Sequence, residues 1–171
     1  MTPTAPETLS DVEIFRYQAR MVHKILRINV DGITQEESLI QPQPGGNCLN
    51  WVVGHLVGTY GKVLPLLGQE PAMEESALQQ YDRGASPLTD PAGALELQDL
   101  LTAWDETSRR IDAGLTGLTA EILDRPAPAS PTGNPNETIR TLLATIFFHQ
   151  AYHAGQAGIL RRLAGKEGAI R

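Results

Sequence analysis

The sequence predicts an all-α fold, a four-helix bundle with one long crossover between its second and third helices. Four stretches repeat apolar residues at helical spacing. No alternating run of useful length, as a strand would need, lies between them. The links inside each pair of helices are short, whereas the connection from about residue 68 to about 90 is long.

The first helix runs from about Ser10, an N-cap residue, to about Val30. Ile14, Gln18, Met21 and Ile25 lie beside Phe15, Val22 and Leu26 in a broad apolar stripe, and Gly32 ends it. The second follows the turn QPQPGGN with Asn47 as cap, sends Leu49, Val52, Leu56, Val63 and Leu66 inward, and closes at Pro65 and Gly68. The third opens on Asp90 with Pro91 at its first position, then runs Leu97, Leu100, Leu101, Trp104, Ser108, Ile111 and Leu115 to a stop at Gly117. In the fourth, Asn134, Pro135 and Glu137 supply a cap, a first-turn proline and an acid, and the helix ends near Gly165. GITQEE at 32–37 and GLTAEI at 117–122 each follow a long helix and precede a proline-containing turn, so the chain reads as two similar helical hairpins.

A length of 171 residues fits a single domain, residues 1–171, with a substantial core. Its 14 basic against 20 acidic residues, a formal net charge of -6, leave no electrostatic footprint for nucleic acid or an anionic membrane. The single Cys48 cannot close an internal disulfide, MTPTAPETLSDVEIF lacks a basic region followed by an apolar run, and no apolar stretch approaches the roughly 20 residues of a membrane span. The expectation is a cytoplasmic protein without nucleic-acid or membrane partners.

Chemistry concentrates on the fourth helix. Ile139, Leu142, Ile146, His149, His153, Gln156, Leu160 and Leu163 follow at steps of three and four, the spacing of a seam facing the bundle interior. His149 and His153 then point the same way one turn apart. Each buried ring nitrogen left unmatched costs about 1 to 3 kcal/mol, so something polar has to meet them. The second helix offers His55, set among Val52, Val53, Leu56 and Val57, with Gly54 and Gly58 marking close packing nearby. Three imidazoles from two helices match a three-nitrogen site for a divalent transition metal with open positions. Three separately hydrogen-bonded core histidines fit the same pattern. His23 falls on the line Arg16, Arg20, His23, Arg27, which reads as a basic solvated face.

PGGNCLNWVVGHL followed much later by FHQAYHAGQAGILRRLAG resembles the DinB-like superfamily of four-helix metalloproteins, YfiT-like metal-dependent hydrolases and thiol-dependent transferases among them. The resemblance covers essentially the whole chain. It implies an up-down-down-up bundle, frequent homodimers, and metal ligation by His55, His149 and His153, with zinc or nickel as the ion. It also implies activity on a small-molecule substrate, a low-molecular-weight thiol serving as co-reactant in some members.

Membership does not choose a reaction, because sites carry function and folds do not. A cation held by three neutral ligands lowers the pKa of bound water or thiol, so hydrolysis and thiol S-transfer both follow. A non-catalytic metal-bearing binding or stress-response protein is the alternative. Position 150 is Gln, so the general base of the H-E-x-x-H metalloprotease pattern is missing. Catalytic and cofactor-binding residues beyond the ligands are not assigned. Smaller roles are open to Gln156 and Tyr152 near the site and to Asn50 behind His55, and Arg161 and Arg162 are placed to attract an acidic substrate or to meet a helix terminus. Trp51 and Trp104 read as packing, and Cys48 as a small buried hydrophobe.

Overall fold

The computed structural model describes residues 8–170; the first seven residues of the N-terminal stretch read for a targeting signal lie outside them. The regular elements among the described residues are helices, with one isolated antiparallel bridge between Pro126 and Thr138. Among the described residues, no helix is long and apolar enough to cross a membrane.

The first helix, α1, spans Asp11–Val30 and starts where expected, with Ser10 and Glu13 closing a reciprocal capping box. Of the seven residues in its expected stripe, only Phe15, Val22 and Leu26 are buried, with Ala19 beside them, whereas Ile14 and Met21 remain exposed. The two GxT segments become one-turn helices, α2 at Gln35–Ser38 and α5 at Ala120–Leu123, capped by the side chains of Thr34 and Thr119. The echo in sequence is therefore an echo in structure.

The second expected helix is α3, Leu49–Val63, and its N-cap is Cys48, not Asn47. It is buried almost all round from Leu49 to Val57. A 3-10 turn, Leu64–Leu67, continues it, and Gly68 stops the chain in the left-handed region at φ 68°. The crossover is not featureless. It carries a second 3-10 stretch, Glu75–Tyr81, which packs on α3.

The third and fourth helices both begin later than the capping signals suggest. Asp90 caps only the short 3-10 turn Pro91–Gly93, and α4 spans Leu97–Leu115. Glu137 is consumed by the hydroxyls of Ser130 and Thr132 in the preceding loop. Helix α6, Ile139–Leu163, is instead capped by Thr138. In both cases a local capping motif is real but serves a turn.

Helix α1 packs on α6 and α4, and α3 packs on α4 and α6. Their inner residues form a continuous apolar core, with Trp104 stacked on Tyr60 at 5.6 Å and Phe15 on Phe147 at 5.5 Å. The basic line on α1 is not a solvated face. Arg16 and Arg20 both grip Asp112 of α4, and His23 meets Asp105 at 2.8 Å, so the line is an ion-paired seam between α1 and α4.

Candidate metal centre

The three histidines come together where α3 faces α6. His149 Nε2 lies 3.2 Å from His55 Nε2 and 3.1 Å from His153 Nε2, and the ring centroids are 4.5 to 5.1 Å apart. The position along α6 differs from expectation. The deepest line of that helix is Leu143, Phe147, Gln150, Ala154 and Ala157, so His149, His153 and Gln156 sit at the edge of the buried stripe, half-buried, and not in its middle. His55 is buried, at 8% exposure. The rings therefore form the floor of an open cavity of about 630 Å³.

Their orientation is set from behind. Tyr81, at the end of the crossover's 3-10 stretch, accepts the Nδ1–H of His55 on its backbone carbonyl at 2.7 Å. Tyr81 is itself pinned: its hydroxyl donates to Asn50 Oδ1 at 2.9 Å and accepts from Leu95 N at 2.8 Å, and Asn50 Nδ2 donates to Leu95 O. Asn50 thus acts on His55 through Tyr81. The ring of Tyr81 lies where Gly54 has no side chain; a Cβ there would be 2.3 Å from Tyr81 Cδ1. The close packing expected at Gly54 is with a tyrosine from the crossover. On the other side, His153 Nδ1 donates to Gln156 Oε1 at 2.7 Å, and Gln156 Nε2 donates to the Tyr152 hydroxyl.

These bonds fix the tautomers. With Nδ1 protonated on His55 and His153, their neutral rings present bare lone pairs at Nε2. His149 Nε2 lies between them and can donate to one at most, while its Nδ1 is buried without a partner. Burial holds all three rings below the ordinary imidazole pKa, and His149, which also feels His153, His55 and Arg83, is pushed down to about 4. At neutral pH three uncharged acceptors meet with too few protons between them.

That donor set fits a metal ion. For bonds of about 2.0 to 2.1 Å in tetrahedral geometry the ligand nitrogens stand about 3.3 Å apart, close to the two separations seen. His55, His149 and His153 could hold one ion, and among the described residues no further His, Cys, Asp or Glu joins the group. The cavity leaves room for other ligands.

Several residues singled out in the sequence lie elsewhere. Gln150 is fully buried and donates to Leu56 O at 3.1 Å, outside the cavity wall. Arg161 holds backbone carbonyls of Asn29, Asp31 and Glu167. Cys48 is fully buried and its thiol is pushed up by desolvation. Trp51 does more than pack: it stacks on His55 at 4.6 Å and lines the cavity. Tyr81 and Arg83 escaped the sequence reading because they sit in the crossover, where no periodicity marks them. Gly54 was the available signal for Tyr81, since a glycine inside a buried helix implies something large against it.

Residues 18–157 match the family model described as the DinB superfamily. No curated protein matches the chain. Among solved structures, a conserved protein from Enterococcus faecalis is similar, with 18% identity, a TM-score of 0.71, and coverage of 93% of this chain and 100% of that one. That likeness is one of fold. With the match extending over most of the chain, this protein belongs to the DinB superfamily.

Proposed function

We propose that the chain is a single-domain, divalent-metal-binding enzyme, a four-helix bundle of up-down-down-up order whose His55, His149 and His153 hold zinc or nickel. The reaction is attack of an activated thiol or water on a small electrophile, as in a thiol S-transferase or a hydrolase. A bound divalent ion supplies the acidity that makes a thiol or water nucleophilic at neutral pH. The chain's residues do the rest. Tyr81 and Gln156 aim the two outer imidazoles, Trp51 covers His55, and the Tyr152 hydroxyl stands at the cavity mouth with a proton to give.

One observation carries this reading: three neutral Nε2 atoms converge on the floor of an open cavity. A purely structural ion is closed off by a fourth protein ligand, and none stands beside these three among the described residues. Gln150, buried and bonded to the α3 backbone, offers no base for peptide hydrolysis. We also place the protein in the cytoplasm as a homodimer without nucleic-acid or membrane partners. Phe148 on α6 and Tyr17 on α1, exposed at 74% and 65%, leave large apolar side chains on two helices that pack together, open to a second copy.

The test is turnover of small electrophiles by metal-loaded protein, with and without an added low-molecular-weight thiol. Thiol-dependent turnover selects the transferase, and thiol-independent turnover selects the hydrolase. No turnover in either arm, with metal bound, overturns the enzyme and leaves a metal-bearing stress-response or binding protein.

A further inference from the structure

The cavity above the histidines has positive charge and no negative charge. No Asp or Glu lines it among the described residues, while Arg83 stands at its rim. In a chain of formal net charge -6, a wall free of carboxylates is a local departure from composition. Arg83 follows an acid, but Asp82 is taken by Lys62 of α3, with Nζ 2.5 Å from Oδ1. Arg83 is left exposed, without a hydrogen bond or ion pair among the described residues. The contrast is with Arg16, Arg20, Arg109, Arg110 and Arg140, each held by a carboxylate. The lining also includes the apolar faces of Trp51, Tyr152 and Ile159 and bare backbone at Gly45 and Gly46.

We infer that the site takes a small organic carboxylate, its anionic group on Arg83 and its apolar part against Trp51, Tyr152 and Ile159, with its other end toward the histidines. A guanidinium matches a carboxylate through two parallel N–H bonds, which a neutral analogue cannot return. A wall without acids adds no repulsion against the anion. This rests on the metal-centre reading and adds to it the class of molecule served.

The experiment compares phenylacetate with phenylacetamide by calorimetric titration of the full-length protein, with metal content measured on every sample. The parent binds the acid about tenfold more tightly than the amide, a difference of about 1.4 kcal/mol. In Arg83→Gln the preference falls to about twofold or less, in Arg83→Lys part of it survives, and added salt shrinks it in the parent. Arg83 is exposed, so the variants fold; an unchanged melting curve checks this. A parent without acid preference, or an Arg83→Gln variant that keeps the full preference because the anion needs only the metal, overturns the proposal. If acid preference tracks Arg83 in protein that carries no metal, the anion site stands and the metal reading alone fails.

Discussion

The protein sets imidazoles between helices in two places, and they are built differently. Between α1 and α4, His23 faces Asp105 at 2.8 Å, and Arg27 reaches the same carboxylate at 3.6 Å. Two helical turns along α4, Arg16 and Arg20 hold Asp112, whose carboxyl falls to about 2 chiefly through its hydrogen bonds to Arg16. Between α3 and α6, three histidines meet one another, and among the described residues no acid joins the group. A histidine beside a carboxylate already has its counter-charge. Three neutral rings that share a point have none, and their common requirement is a cation. The presence or absence of a carboxylate separates an ion-paired seam from a candidate ion site.

The largest effect belongs to the groups that aim the rings. Gln156→Leu removes the oxygen that fixes His153, and metal affinity should fall about 10- to 100-fold in competition with a chromogenic chelator. An unchanged affinity would mean that the tautomer of His153 does not depend on this bond. Next comes Gly54→Ala, whose Cβ would intrude on Tyr81; overpacking there should cost about 1–3 kcal/mol in denaturant unfolding. Gly58→Ala on the same helix meets nothing nearer than 3.8 Å and should stabilise by up to about 1 kcal/mol. Equal effects at both glycines would remove the close fit of Tyr81.

A third test uses protons. The folded protein holds His149 at about 4 against an ordinary value of 6.5, so between those values the unfolded chain binds more protons. Metal-free protein should therefore lose stability as pH falls from about 6.5 toward 4, and bound metal should add stability that disappears over the same window. Melting temperatures with and without chelator across that range measure both, and curves that coincide at every pH would contradict a folded-state metal site. The smallest effect is reserved for the seam. Asp105→Asn should cost less than about 1 kcal/mol, since His23 and Arg27 are partly exposed, and should leave metal content alone.

The long helices and the histidine triad were legible because periodicity records which face of a helix is covered. His55, amid valines and beside glycines, could be paired with His149 and His153 on that basis. Depth was less legible. Steps of three and four fit two adjacent lines on α6, and only packing decides that Phe147 and Gln150 take the interior while the histidines take its edge. On α1 the same ambiguity left Ile14 and Met21 outside. The helix starts at Leu97 and Ile139 were hidden by earlier capping motifs at Asp90 and Asn134 that close turns of their own. His23 reads as solvent-facing in the sequence because its partner Asp105 lies 82 residues away on α4, beyond what local pattern can reveal.

Metal analysis of protein purified without an affinity tag addresses the histidines most directly, using parent, His149→Ala and His23→Ala. The account predicts about one equivalent of a first-row divalent ion in the parent and in His23→Ala, and far less in His149→Ala. Equal metal in the parent and in His149→Ala would contradict it.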